Sequence, residues 1–255
     1  MEYGLIGEKL GHSYSAEIHP LLGYNYELKE LKPEEVEPFL KKRDFKGINV
    51  TIPYKQVVMK YLDEIDDKAL EIGAVNTICN RDGKLCGYNT DFVGMKALIK
   101  RTGVSLNGKR VLIAGSGGTS KTAAAVAKSL GAASVYRLSR SEKEGCITYK
   151  QAENMGADFF INTTPCGMYP NVLSESMDIN LLKDLKGMVD AVYNPLKTVS
   201  VKKALKRGLP AEGGLYMLVV QAVAAAEKFL DKKISQDETE RIYNIILKSK
   251  EEKSL

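Results

Sequence analysis

KRVLIAGSGGTSKTAAAVAKSL, residues 109–130, holds a strand, a glycine break and a helix start in that order. Arg110–Ala114 is a short apolar run of strand type. Gly115-Ser116-Gly117-Gly118 interrupts it, and the Ala-rich stretch from Thr119 has helical composition. Such a junction is an anion site, because unpaired N–H groups and the positive end of the helix dipole point at one place. Glycines let a phosphate approach the backbone. Two phosphate devices fit these residues. As G-x-G-x-x-Ser, the stretch is a dinucleotide-binding turn with Ser120 at the third glycine position. As G-x-x-x-x-Ser-Lys-Thr, it is a P-loop in which Ser120 stands where the last glycine belongs.

A P-loop needs that glycine, so that the backbone can wrap a phosphate, and a separate acid to hold magnesium. Ser120 breaks the first requirement, and Asp190, after Gly187-Met188-Val189, is a weak candidate for the second. The dinucleotide turn needs glycines at 115 and 117, both present, and tolerates a small residue at 120. The next strand, Ser134–Leu138, separates the two readings further. An NAD site expects an acid at its end, for the ribose hydroxyls. Here the strand runs into Ser139-Arg140-Ser141, a guanidinium flanked by two hydroxyls, which suits a 2′-phosphate. The expected cofactor is NADP. A P-loop kinase or NTPase, a dinucleotide-sensing module without turnover, and a plain strand–helix turn are the alternatives.

Around this stretch, strand and helix signals alternate. Strands are expected at about 110–114, 134–138, 158–162, 187–192 and 209–212, and helices near 119–130, 149–155, 197–207 and 214–230. That alternation predicts a doubly wound, mostly parallel sheet. The interval between Leu138 and Asp158 allows only a tight crossover with a short helix. Residues 1–101 form a second α/β unit. Its strand signals are Tyr3–Ile6, Tyr24–Leu28 and Gly47–Ile52, then a hairpin of Val75–Cys79 and Leu85–Tyr88 about Asp82-Gly83. Its helices are expected at Ser13–Leu22 with Ser13 as cap, from Pro33, from about Lys55, and from Thr90 or Asp91 to Arg101. Thr102–Gly108 reads as a linker. The expected division is 1–101, with 235–255 packing back on it as a returning C-terminal helix, and 102–234. Thr102–Gly108 and the region near Gly213 are the expected hinges for closure over ligands.

With 255 residues, 44% hydrophobic and 27% charged, the chain has the composition of a soluble globular protein. A net charge of +5 is spread along the chain, which favours an anionic small molecule and not a nucleic-acid surface. There is no leader-like start and no membrane-length apolar run, so a cytoplasmic protein without membrane partners is expected. Cys79, Cys86, Cys146 and Cys166 lack metal-ligand spacing, and no metal is expected. Cys79 and Cys86 should face each other across the hairpin, as reduced thiols.

The chain resembles the shikimate dehydrogenase family across nearly its whole length. The matching motifs are HSYS at 12–15, NVTIPYK at 49–55, GAVNTI at 73–78 and YNTDFVG at 88–94. They continue with GSGGTS at 115–120, NTTPCGM at 162–168, DAVYNPLKT at 190–198 and GGLYMLVVQA at 213–222. Each is weak alone; the ordered set is specific. The resemblance implies an α/β fold with an N-terminal substrate domain, a doubly wound Rossmann-type NADP-binding domain, and a C-terminal helix returning to the first. It implies reversible, NADPH-dependent reduction of 3-dehydroshikimate to shikimate, an oxidoreductase step of aromatic amino acid biosynthesis. The alternative within the family is a quinate/shikimate dehydrogenase with relaxed NAD use. A monomer or homodimer is expected.

The resemblance also assigns residues. Ser13 and Ser15 bind the substrate carboxylate, helped by Tyr193, while Thr51, Asn76 and Gln221 hold the hydroxyls. Lys55 and Asp91 sit at the reacting oxygen, where Lys55 gives or takes the proton. A lysine releases its proton easily only when desolvated, and a neighbouring carboxylate opposes that, so the work is assigned to the Lys55–Asp91 pair. Gly115, Ser116, Gly117, Gly118, Thr119, Ser139, Arg140, Ser141 and Gly214 are assigned to the cofactor. Taken singly, Ser13 and Asp91 read as helix caps, Lys55 as a solvated lysine, Asn76 as a strand residue and Gln221 as a helix-face residue. His12 is expected at the fringe of the site, and His19 in packing or at the surface. The sequence departs from the family at Ala16, where proline is common, at Ser139-Arg140-Ser141, usually Asn-Arg-Thr, and in a shorter segment after Ser141.

Overall fold

In the computed structural model, residues 1–11, 13–152 and 155–252 are described. His12 lies outside them. The chain divides into one unit of Met1–Thr90 with Val219–Leu255 and a second of Asp91–Leu218. Both divisions fall inside helices, whereas the sequence placed them at 101/102 and 234/235. Thr102–Gly108, expected as a linker and hinge, is tied into the second unit. Thr102 Oγ1 donates to the Ile99 carbonyl at 2.7 Å, Leu106 is buried, and the Gly108 N–H donates to the Gly131 carbonyl at 2.9 Å.

The first unit contains β1 (Tyr3–Gly7), α1 (Ser15–Ile18), β2 (Glu27–Glu30), α2 (Pro33–Lys42), β3 (Gly47–Val50), β4 (Glu64–Ile65), α3 (Asp67–Ile72), β5 (Thr77–Arg81) and β6 (Lys84–Tyr88). Its sheet runs β2-β1-β3-β5-β6-β4. β1 is parallel to both neighbours, and the β5–β6 hairpin is antiparallel. β1 and β3 are buried at every position, as strands covered on both faces must be. β2 is an exposed Glu-Leu-Lys-Glu edge, whose charges blunt further strand pairing. Asp82 and Gly83, at φ +52° and +87°, make the left-handed turn that the hairpin twist requires. Cys79 and Cys86 are register partners there, and both are free thiols. Ile6, Val36, Leu40, Ile48, Val58 and Ile78 are in its core. A Cβ on Gly47 would lie 2.2 Å from the Phe229 ring, so this glycine lets Phe229 sit directly on the sheet.

Four expectations in this unit fail for local reasons. The helix expected over Ser13–Leu22 is only the four residues of α1, followed by a 3₁₀ turn at His19–Leu22, where Pro20 brings no N–H. Ser13 is not its cap: Tyr14 holds that position, and Ser13 Oγ accepts the Ser15 N–H at 3.3 Å. The helix expected from Lys55 is a 3₁₀ turn, Val57–Tyr61, in a stretch whose paired β-branched valines disfavour an α-helix. The strand expected from Tyr24 begins at Glu27, which leaves Tyr24 and Tyr26, both partly buried, to pack on an aromatic cluster. Tyr26 stacks on His19 with centroids 3.9 Å apart, and burial pushes the His19 imidazole down to about 3, a neutral packing residue.

α4 (Thr90–Arg101) leads into the second unit, with β7 (Arg110–Ala114), α5 (Gly118–Ser129), β8 (Ser134–Ser139), β9 (Ile147–Thr148), α6 (Tyr149–Ala152), β10 (Phe159–Asn162), β11 (Gly187–Asp190), α7 (Val199–Lys206) and β12 (Ala211–Glu212). All its strands are parallel, in the order β12-β11-β10-β7-β8-β9. From the far edge this is the unit's third, second, first, fourth, fifth and sixth strand, the Rossmann order. The short crossover after β8 holds β9 and the single turn of α6; the two-residue β9 carries no periodicity from which it could be read. α8 (Leu215–Leu230) and α9 (Gln236–Glu252) close the chain. α9 docks on α1, with Lys250 Nζ 2.9 Å from Glu17 and over the Tyr14 ring. No helix among the described residues is long and apolar enough to cross a membrane.

Candidate functional site

In the first unit the carboxyl ends of β1 and β3 bring together several of the sequence-assigned residues. Gly7, the last residue of β1, is glycine where a Cβ would lie 2.6 Å from the Thr51 methyl. The Thr51 N–H donates to the Ile6 carbonyl at 3.0 Å, and the Tyr54 N–H returns to the Thr51 carbonyl at 2.9 Å, turning the chain. Tyr54 is buried, its hydroxyl donating to the Leu31 carbonyl at 2.5 Å. The Val75 N–H then donates to the Lys55 carbonyl at 2.8 Å, and the Val50 N–H to the Asn76 carbonyl at 2.9 Å. Thr51, Lys55 and Asn76 are thereby held in neighbouring turns, Thr51 and Lys55 half-buried and Asn76 buried.

Asn76 is more than a ligand candidate. Its Oδ1 accepts the Thr90 N–H at 2.7 Å, so it caps α4 from across the fold, and its Nδ2 donates to Thr90 Oγ1 at 3.1 Å. Asn49 donates to Thr77 Oγ1 at 3.1 Å and accepts the Tyr26 hydroxyl at 2.7 Å. Tyr26, Asn49, Thr77 and Asn76 are thereby joined in one polar chain. Ser13 is half-buried beside Ser15, and Gln221 is half-buried on α8. Asp91 follows Thr90 in the first turn of α4 and, like Tyr193, belongs to the second unit. Asn49, Thr77 and Thr90 stand in the quoted motifs without an assigned site role, and Tyr26 outside them, since buried polar partners have no spacing signature.

In the second unit the turn after β7 is built for close approach. Gly115 is at φ +116°, where a Cβ would lie 2.5 Å from Thr163 Oγ1, so glycine is required. A Cβ on Gly117 or Gly118 would meet nothing within 4 Å. No side chain caps α5 at Gly117, so the first-turn N–H groups, including those of Gly118 and Thr119, face that open space. Ser120 is buried, its hydroxyl donating to the Gly117 carbonyl at 2.7 Å, as a small residue packing helix on strand. Lys121 and Thr122 are ordinary first-turn residues, with Thr122 Oγ1 donating back to Gly118.

β8 ends in buried Ser139, and Arg140 and Ser141 beyond it are exposed. Lys143, which the sequence reading missed, places Nζ 3.4 Å from both the carbonyl and the hydroxyl of Ser116. Its only signal was position, three residues past Arg140. A Cβ on Gly214, assigned to the cofactor, would lie 2.2 Å from the Ala191 carbonyl, so this glycine also packs the start of α8 against the end of β11. Gly213, expected near a hinge, is packed equally tightly on the Leu196 carbonyl at 2.2 Å.

At the same edge of the sheet, Asp190 replaces the magnesium ligand of the P-loop reading with a buried structural acid. It accepts from Asn162 Nδ2 at 2.9 Å, the Val192 N–H at 2.9 Å and the Thr198 hydroxyl at 2.7 Å. Burial raises its carboxyl to about 6, against the pull of these donors. Asn162 also accepts from Thr164, so loops 162–167 and 190–198 are joined, the second carrying Tyr193. No group of three metal-ligating residues occurs among the described residues.

Known proteins share both halves of this arrangement. A sequence model of the shikimate dehydrogenase substrate binding domain matches residues 5–78. Shikimate dehydrogenase (NADP(+)) of Clostridium perfringens is 39% identical over 261 residues, covering 94% of this chain and 96% of that protein. The chain belongs to the shikimate dehydrogenase family. A chorismate mutase/shikimate 5-dehydrogenase fusion protein from Clostridium acetobutylicum superposes with a TM-score of 0.92 at 35% identity, covering 98% of both chains. The shikimate 5-dehydrogenase of Thermus thermophilus, in complex with NADP(H) and shikimate, gives 0.85 at 26% identity over 96% of this chain and 98% of that one. Members of the shikimate dehydrogenase family thus match this chain through both units.

Proposed function

We propose that this chain catalyses the reversible reduction of 3-dehydroshikimate to shikimate with NADPH. The observation that carries the reading is that 39% identity to an NADP-dependent shikimate dehydrogenase extends over 94% of the chain, through both units. The residues of the second unit fit the cofactor. The turn at Gly115–Gly118 leaves open space at an uncapped helix N-terminus, which suits a pyrophosphate. Arg140 and Lys143 supply positive charge, and no acid stands at the end of β8 to repel a 2′-phosphate. When bound, NADPH supplies the hydride to the substrate's ketone carbon.

The chain's own residues do the rest. Ser13, Ser15 and Tyr193 hold the carboxylate through hydroxyl donors, and Thr51, Asn76 and Gln221 orient the ring hydroxyls. Lys55 delivers a proton to the ketone oxygen, and in the reverse direction takes it from the hydroxyl. Asp91 orients the lysine for that transfer. Thr119, Ser139 and Ser141 add cofactor contacts around the turn and the end of β8. The substrate is a small anion, in keeping with the chain's net positive charge. Incubation with 3-dehydroshikimate and NADPH, followed by chromatography, tests the reading. Shikimate accumulating in step with NADP supports it, and unchanged 3-dehydroshikimate contradicts it.

A further inference from the structure

Asn76 has two amide hydrogens and one amide oxygen, and the structure spends all but one of them. The oxygen takes the Thr90 N–H at 2.7 Å and the Thr77 hydroxyl at 3.1 Å. One hydrogen goes to Thr90 Oγ1 at 3.1 Å. The second has no protein acceptor among the described residues. The Thr77 and Thr90 hydroxyls are also 3.1 Å apart, and Asn76 Oδ1 is the amide acceptor both can reach. Either arrangement of the two protons delivers a hydroxyl donor to Asn76 Oδ1.

The supply continues inward. Thr77 Oγ1 accepts from Asn49 Nδ2 at 3.1 Å, and Asn49 Oδ1 accepts from the Tyr26 hydroxyl at 2.7 Å. Tyr26 donates to Asn49 and Asn49 to Thr77, whose hydroxyl reaches Asn76 Oδ1 directly or through the Thr90 hydroxyl. Thr77 is fully buried, so water is no substitute for its hydroxyl, and the low local dielectric strengthens its bonds. A flipped Asn76 would aim its hydrogens at the Thr90 N–H and the Thr77 O–H, leaving buried donors facing donors.

We propose that Thr77 is a positioning residue acting through Asn76. Its hydroxyl locks and polarises the Asn76 amide, so that the remaining N–H donates to a hydroxyl oxygen of the bound substrate. The ligand atom opposite Asn76 must then be an acceptor, which an alcohol oxygen satisfies and an ammonium does not. This rests on the assignment of Asn76 to the substrate hydroxyls. It adds that the donor's direction is fixed one residue further back.

Thr77→Val keeps the shape and removes the hydroxyl, and Thr77→Ser keeps the hydroxyl. Calorimetry with shikimate alone and steady-state kinetics with shikimate and NADP are measured for both. Thr77→Val is expected to weaken shikimate binding and raise its KM about 5- to 10-fold. KM for NADP stays within about twofold, and Thr77→Ser restores the shikimate values. In an Asn76→Ala background, Thr77→Val is expected to have no further effect on shikimate binding. An unchanged shikimate Kd in Thr77→Val, equal losses for shikimate and NADP, or an undiminished effect beside Asn76→Ala overturns the role of Thr77 alone. Failure of the wild-type chain to bind shikimate overturns this role and the assigned function together.

Discussion

The carboxylate of Asp190 accepts the hydroxyl of Thr198 at 2.7 Å in the interior of the second unit, and its other partners, Asn162 and the Val192 N–H, are neutral too. Three neutral donors reduce the cost of burying this charge and do not remove it, since the carboxyl still lies at about 6. The acid ties together two loops at the edge of the sheet where a cofactor binds.

The pH dependence of stability follows from that value. The unfolded chain loses this proton near pH 4 and the folded chain near pH 6, so the folded state holds the proton more tightly between them. Asp190 therefore favours folding most below pH 4. That contribution, on the order of 3 kcal/mol, is lost as pH rises to about 6, with no further change above. Asp190→Asn removes the titration. Unfolding free energies of wild type and variant, compared from pH 4 to 7, should show the variant gaining relative to wild type up to about pH 6 and level thereafter. A difference independent of pH contradicts the placement of Asp190.

Lys55→Ala should lower kcat by about 10²- to 10⁴-fold with little change in KM for shikimate, because proton transfer is lost while the polar contacts of Thr51 and Asn76 remain. Steady-state kinetics decide it. An unchanged kcat removes Lys55 from the chemistry.

Arg140→Ala should raise KM for NADP about tenfold and leave KM for NAD within about twofold, since the guanidinium is assigned to the 2′-phosphate. Lys143→Ala should weaken NADP as well, because its ammonium lies at the Ser116 end of the turn. Equal effects of Arg140→Ala on both cofactors contradict a 2′-phosphate role.

Gly115→Ala tests the turn itself. The positive φ and the 2.5 Å approach to Thr163 Oγ1, whose hydroxyl is held by the Ala114 carbonyl at 2.6 Å, leave no room for a methyl group. A loss of about 1–3 kcal/mol in stability is expected, with weaker NADP binding. Thermal unfolding and cofactor titration read both, and a variant as stable as wild type contradicts the tight turn.

Much of this was legible in the sequence where a local signal coincided with a structural need. The strand, glycine turn and helix at 110–129 appear as read, because Gly115 is demanded by the backbone and not merely tolerated. The Asp82-Gly83 hairpin is equally clear, since two successive left-handed residues select that pair. Proline and β-branching were underweighted. Pro20 ends α1 after one turn, and Val57-Val58 favour a 3₁₀ turn where apolar content alone suggested a helix. Thr102–Gly108 looks like a linker in composition, while its Thr102 and Gly108 hydrogen bonds hold it in the second unit. In the site, Asn76 was found through a motif, but Asn49, Thr77 and Tyr26 come from separate segments and meet only through folding. Gly214 carried a motif's meaning for the cofactor, and its packing against Ala191 could be seen only in the structure.

The central claim is tested most directly by absorbance at 340 nm on mixing the purified chain with shikimate and NADP. A rise that depends on both compounds, faster with NADP than with NAD and faster with shikimate than with quinate, is the predicted result. No rise while both ligands bind, or equal rates with either cofactor, would contradict an NADP-dependent shikimate dehydrogenase.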